Sequence, residues 1–481
     1  MRFAAWLVVL AAALAPRAFA QSPSAVQSLP DLGSGDSVLS PQMERRVGEQ
    51  IMREIRFAEP TYVDDPEISD YLAQIGSRLT GGRQDFEFFA IRDPTINAFA
   101  LPGGFVGVHT GLITTAETES ELASVLAHEV SHVTQRHIAR MLSQQQQMQM
   151  PMMVALAAAI LLGRSRPDRA IGSLAGAQGA AIQAQLSYSR DFEREADRIG
   201  IQRLEEAGFD AHAMAAFFER MQRANRISED STMPGYFRSH PVTSERIADV
   251  QNKAASMPYR QHPDSAEFQF VRAKLRAEQG DSRDAVRHFQ TTLREHRYSS
   301  EAAARLGLAY ALLRADRVPE AQAEVARLRA LGSASPMIEM LDARARHAAK
   351  DVSGAAELLA GARDRFPAWR ALTYSHIAAL QELGRNDEAI ATTREAVARY
   401  PRDARLYGMQ AKIYAMLGKR LLQHQAQAEV YVLQGSLPAA IEQLSLARAA
   451  GDGDFYQLSV VDARLKDLRA QYTAEMKEAK R

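Results

Sequence analysis

In the C-terminal half of this chain, Gly280, Asp316, Lys350, Gly384 and Gly418 each stand at a turn between two helical stretches, at spacings of 36, 34, 34 and 34 residues. Ala285, Ala321, Ala355 and Ala389 keep step five residues later, and Pro367 and Pro401 are also 34 apart. A fixed period of this length means one helical hairpin repeated. Such a unit cannot bury its apolar face alone, so it stacks on its neighbours. From about Ala266 onward the sequence is Ala-, Leu- and Arg-rich with no strand signal, which fits helices only.

The register is that of a tetratricopeptide array, an α-solenoid in which small residues in step let paired helices pack closely. Its elongated concave surface suits binding rather than catalysis. Past Gly418 the period breaks, since the next turn glycine, Gly435, follows after 17 residues. The array, expected over 266–450, should therefore end in an odd single helix and a packed helix pair, with a helical tail over 451–481.

The N-terminal half reads differently. Apolar residues recur at helical spacing over 41–57 and 64–79, and short strands are expected at 86–90, 98–101 and 105–109, separated by Asp93-Pro94 and Pro102-Gly103-Gly104. A long helix is expected from about Thr118 to Met141, apolar nearly all round in its first half, as befits a helix buried through a domain core. The fold class is thus mainly α: a helical domain with a small sheet over 41–260, followed by the solenoid. The apolar stretch Met152–Leu162 is short for a membrane span. It reads as a mobile helix or lid near a cleft, or as plain core, and leaves room for a peripheral membrane contact.

Residues 1–20 read as a cleaved signal peptide, with Arg2 at its start, an apolar run from Trp6 to Leu14 and Ala18-Phe19-Ala20 before the cut; 21–40 reads as a flexible leader. The chain carries 58 basic and 58 acidic residues. Cleavage would remove Arg2 and Arg17 and no acid, leaving 56 against 58, so no net charge argues for a nucleic-acid partner. There is no cysteine, hence no lipoprotein anchor, disulfide or thiolate metal ligand. An exported protein of this kind is expected in the periplasm.

Inside the long helix lies His128-Glu129-Val130-Ser131-His132. Two histidines at i and i+4 share one helix face, so both imidazoles reach one metal while Glu129 stands beside it. Zinc lowers the pKa of a water it holds toward ~7, and a neighbouring carboxylate takes the proton as that water attacks a peptide carbonyl. Two histidines leave the ion short of a protein ligand. Candidates for the third stand in Tyr188-Ser189-Arg190-Asp191-Phe192-Glu193-Arg194-Glu195-Ala196-Asp197; spacing alone does not choose between Glu193 and Glu195, and a solvated acidic helix paired with its own arginines is the competing reading.

His-Glu-x-x-His, then Glu193-x-x-x-Asp197, then His240-Pro241 and Ser244-Glu245-Arg246, preceded by Asn97-Ala98-Phe99-Ala100-Leu101-Pro102-Gly103-Gly104, resembles the Ste-type and HtpX-like gluzincin metalloproteases. With its leader and trailing repeats the chain looks BepA-like from about Pro41 to Ala450. The resemblance implies one zinc per chain, held by His128, His132 and Glu193, with Glu129 as general base and Asp197 and Arg246 supporting the ligands. It points to His240 as a residue over the metal. By chemistry His240 either fills the fourth position, making the enzyme self-inhibited, or swings aside to stabilise the oxyanion; a plain turn histidine is the alternative. Asn97, Ala98, Phe99, Ala100 and Leu101 would form an edge strand that takes an extended substrate, unless they are an ordinary core strand.

The function expected is a periplasmic zinc endopeptidase acting on misfolded or stalled polypeptides. The resemblance adds outer-membrane β-barrel proteins as clients, the barrel-assembly machinery as a partner of the repeats, and a chaperone-like holding role. The rival is a repeat-based binding scaffold or chaperone with a silent protease domain, against which the intact Glu129 argues.

Overall fold

The computed structural model describes residues 39–83, 85–144, 190–227, 236, 239–259 and 262–478. The leader up to residue 38 and the stretch Met152–Leu162 lie outside the described residues. The first helices are α1 (Pro41–Ala58) and α2 (Pro66–Thr80). Ser40 Oγ accepts the Met43 N–H at the start of α1, and Asp65 caps α2, each helix having proline in its first turn. Gly81, at φ 64°, closes α2 in the left-handed conformation that glycine adopts without strain.

Three strands follow, β1 (Glu87–Ile91), β2 (Ala98–Leu101) and β3 (Phe105–His109), β1 beginning one residue later than expected. They form one sheet in the order β1-β3-β2, β1 parallel and β2 antiparallel to β3. The turn between β2 and β3 requires its glycines. Gly103 and Gly104 have φ of 78° and 95°, and a Cβ on Gly103 would lie 2.5 Å from the Arg45 backbone. Opposite Phe99, Gly107 leaves space for the aromatic ring, which would touch any side chain there.

Next come α3 (Thr110–Thr115), α4 (Glu119–Thr134), α5 (His137–Gln144), α6 (Arg190–Glu206), α7 (His212–Ile227) and α8 (Ser244–Ala255). Thr118 caps α4, and every residue from Glu119 to His132 is buried. The helix expected over 118–141 is therefore two helices. The break falls at Arg136, whose φ is 53°, and whose guanidinium bonds Glu44 (3.1 Å) and the Leu39 carbonyl (2.5 Å). A non-glycine residue in that conformation costs about 1 kcal/mol or more and is held by such partners. The break turns His137 back beneath α4.

The repeat region comprises α9 (Ala266–Glu278), α10 (Ser282–Arg294), α11 (Glu301–Arg314), α12 (Val318–Ala330), α13 (Pro336–Ala348), α14 (Val352–Arg365), α15 (Arg370–Glu382), α16 (Asn386–Arg399), α17 (Ala404–Met416), α18 (Arg420–Leu433), α19 (Leu437–Ala449) and α20 (Phe455–Glu478). Gly280, Asp316, Lys350, Gly384 and Gly418 all have positive φ, between 57° and 71°, so one left-handed residue closes the first helix of each pair. Ala285, Ala321, Ala355 and Ala389 are all buried where the second helix meets the first. Gly435, at φ 73°, makes the turn after α18, and α19 and α20 follow.

The apolar core continues from the sheet and α4 into the repeats: Tyr71, Leu126, Phe217, Phe268, Tyr310 and Leu372 belong to one cluster. Over it runs a ladder of charge. The acids at the start of α2 meet the first helices of five successive pairs: Asp65 and Glu67 reach Lys274, Glu67 reaches Tyr310 Oη and Arg344, Asp70 reaches Arg370, and Asp64 reaches Arg405. The chain's own helix thus occupies the face those five helices present.

Candidate metal centre

The cluster is built where α4 crosses α6. Gly200 permits the crossing: a Cβ there would stand 3.2 Å from His128 N and 3.3 Å from its Cα. One turn apart on α4, His128 and His132 bring their Nε2 atoms to 2.9 Å. From α6, Glu193 places Oε2 3.5 Å from His128 Nε2 and Oε1 3.4 Å from His132 Nε2. His240, just before α8, sets Nδ1 3.0 Å from Glu193 Oε1 and 3.3 Å from His128 Nε2. One donor atom from each of these four residues lies within 4.8 Å of all the others, and all four residues are buried.

A second layer holds them. His128 Nδ1 lies 2.9 Å from Asp197 Oδ1. Arg246 grips both Asp197 oxygens through Nε (2.7 Å) and Nη2 (2.8 Å), while its Nη1 meets Glu193 Oε2 (2.6 Å) and the Pro241 carbonyl (2.8 Å). One guanidinium thus ties both carboxylates of α6 to the loop that carries His240. Glu195 does not reach the cluster. It faces His137 (Nε2, 3.3 Å) and Arg140 (2.9 Å) instead.

Glu129 is buried, its Oε1 3.5 Å from His240 Nε2. Neither of its oxygens has a hydrogen-bond partner among the described residues, the Ala100 backbone of β2 approaching without completing a bond. An ionised carboxylate left this way is costly unless something absent from the protein alone sits against it. Burial pushes its pKa up, with His240 and His128 opposing. Burial acts on Glu193 in the same sense, but His240, His128 and His132 outweigh it and hold that carboxyl well below the usual range. Burial depresses His128, yet Asp197 and Glu193 carry it up to about 10; His132 is driven well below its ordinary value, mainly by burial. Three buried carboxylates, Glu129, Glu193 and Asp197, face one buried guanidinium, Arg246. A divalent cation on the imidazoles would require them neutral, and these groups would then sum to −2, which the cation balances. The donor set, two or three imidazoles and a carboxylate, fits a metal of that charge.

The substrate-strand candidates sit beside this centre. β2 is an edge of the sheet, packed against α4, with Asn97 buried at its start and Phe99 half-buried. Two residues had no place in the sequence reading: His137, five positions beyond His132, and Tyr236, whose ring stacks on His240 with centroids 4.9 Å apart. His137 was hidden because only the break at Arg136 brings it under α4. Tyr236 was readable only as an aromatic four residues before His240.

The chain is 31% identical over 458 residues to the "Beta-barrel assembly-enhancing protease" of Escherichia coli (strain K12), an alignment that covers 94% of this chain and 93% of that protein. Residues 65–254, from the cap of α2 to the end of α8, match the model of peptidase family M48. The chain belongs to family M48. It is a metalloendopeptidase of mainly helical fold, with the family domain N-terminal to a long helical-repeat region. A "Putative beta-barrel assembly-enhancing protease" of Vibrio cholerae is 35% identical over 252 residues, about half of either chain. The "Mitochondrial metalloendopeptidase OMA1" of Schizosaccharomyces pombe is 29% identical over 186 residues, 38% of this M48 chain and 51% of that one. No described helix of this M48 peptidase is long and apolar enough to cross a membrane.

Proposed function

We propose that this M48 peptidase is a zinc endopeptidase of the periplasm that removes misfolded or stalled polypeptides during the assembly of outer-membrane β-barrel proteins. The observation that carries the catalytic part is the buried, unpartnered carboxylate of Glu129 beside four clustered donor atoms. The cellular part rests on the name its Escherichia coli relative bears and on the alignment along nearly the whole of both chains.

In this reading His128, His132 and Glu193 hold the zinc, and Asp197 and Arg246 fix their orientation. When bound, zinc polarises a peptide carbonyl and makes a water acidic at neutral pH. Glu129 would take the proton of the attacking water and pass it to the leaving nitrogen. β2 offers its edge amides to an extended chain, which places a scissile bond beside Glu129. His240, with Nδ1 among the ligand atoms and its ring stacked on Tyr236, would be a further donor to the ion at rest, so substrate entry would require His240 to move aside. The repeats connect the peptidase to the barrel-assembly machinery and to clients; since α2 takes the face of five first helices, that contact uses other surfaces of the array. A chaperone-like hold on a client before cleavage follows from the same arrangement.

Glu129→Gln tests the reading. It should keep its zinc and its fold and lose cleavage of an unfolded substrate by about 10²-fold or more. Full complementation of a deletion strain by Glu129→Gln would instead favour the scaffold reading.

A further inference from the structure

We propose that His137 is a positioning residue for the metal centre, which holds the ligand His132 by relaying it, through a second imidazole, to the carboxylate of Glu195. The inference rests on the reading of His132 as a ligand. His132 turns Nε2 toward Glu193 and His128, so only Nδ1 remains to be fixed from behind. That nitrogen lies 2.8 Å from His137 Nδ1. A ligand bound through Nε2 carries its proton on Nδ1, so His132 donates and His137 Nδ1 accepts. The proton of His137 is then on Nε2, which faces Glu195 Oε2 at 3.3 Å, and Arg140 anchors that same oxygen at 2.9 Å. Donation thus runs in one direction from His132 through His137 to Glu195, whose carboxylate Arg140 meets as a second donor from the other side.

The geometry is built for this. His137 is fully buried, its ring stacked on Phe192 at 4.6 Å and 11°, and it reaches His132 only because the chain turns left-handed at Arg136. The two ligand histidines are consequently held in different ways: His128 directly by a carboxylate fixed by Arg246, His132 by a neutral imidazole with its carboxylate one step further out. The relay also explains an acidic residue that the ligand set leaves over, since Glu195 shares the α6 sequence with Glu193 but points to the other side of α4's end.

The test measures zinc affinity of the full-length protein by competition with a chromophoric chelator, beside the melting temperature of the metal-free form. His137→Phe keeps the ring and its stacking on Phe192 and removes both nitrogens; His137→Asn loses the stacking and restores an acceptor near the Nδ1 position. The relay predicts that Phe binds zinc about 10–100-fold more weakly than wild type while Asn recovers most of the loss, although Phe is the more stable protein. Glu195→Gln, at the half-exposed end, should weaken binding several-fold with no change in melting. Affinities that follow stability instead, with Phe equal to wild type or Asn the weaker binder, would overturn the relay. A wild-type protein that binds no zinc would remove the ligand assignment itself, a separate result.

Discussion

The carboxylate of Glu67 lies 2.5 Å from the ammonium of Lys274, and neither side chain has any exposed surface. Arg344 (2.6 Å) and Tyr310 Oη (2.9 Å) close around the same carboxylate, so one acid on α2 joins the first three helix pairs to the peptidase. Removing one partner of a buried ion pair leaves the other desolvated and uncompensated, a loss of about 3–5 kcal/mol. Glu67→Leu, which leaves the buried Lys274 with Asp65 alone and takes from Arg344 its carboxylate, should lower stability by up to that amount in urea unfolding. Lys274→Met should cost less, because Glu67 keeps Arg344 and Tyr310. Equal losses would mean the network does not centre on Glu67.

Gly200 sets the distance between α4 and α6. Alanine there gains up to about 1 kcal/mol of helix propensity, but its methyl meets the His128 backbone at 3.2 Å, which cannot swing aside as a side chain does. Gly200→Ala should therefore move Glu193 and Asp197 away from the histidines and weaken metal binding by about tenfold, with melting of the metal-free protein little changed. Unchanged zinc affinity would show that the crossing yields without disturbing the ligands.

Much of this was legible in the sequence, and the omissions have physical causes. The repeat register appeared because a left-handed turn residue and a small helix-contact residue must recur in every hairpin, as Gly280 and Ala285 do. His128, Glu129 and His132 were legible because i, i+4 spacing is a property of one helix. The choice of Glu193 over Glu195 depends on how α6 is rotated against α4, which no local spacing encodes. The split of the helix expected over 118–141 went unseen because its breaker is an arginine, held left-handed by Glu44 and Leu39 from the far end of the domain. The ladder from Asp64 to Asp70 was invisible for the same reason: its partners lie more than 200 residues away.

His240 is buried with Nδ1 among the ligand donors and Nε2 3.5 Å from Glu129. If it fills the fourth position at rest, His240→Ala should cleave an unfolded substrate several-fold faster than wild type while binding zinc somewhat less tightly, having lost one donor. A fall in turnover with unchanged KM would assign it instead to stabilising the transition state.

His376, far from the metal centre, is buried on α15 with Arg363 Nη1 3.2 Å from its Nδ1. Burial, reinforced by Arg363 and Arg385, pushes its pKa down to about 4, against about 6.5 in the unfolded chain. Between those values the unfolded state binds the extra proton, so the stability His376 allows at neutral pH is lost as pH falls from about 6.5 toward 4. Wild type and His376→Gln should differ by a constant amount above pH 7, and wild type should lose ground steadily below about 6.5. Parallel melting curves across that range would contradict the assignment.

The zinc content of the full-length protein, measured by elemental analysis after loosely bound metal is removed, tests the central claim most directly. The account predicts about one zinc per chain, lost in Glu193→Ala and kept in Glu195→Ala. A folded protein with no bound metal, or one whose zinc survives loss of Glu193, would contradict it.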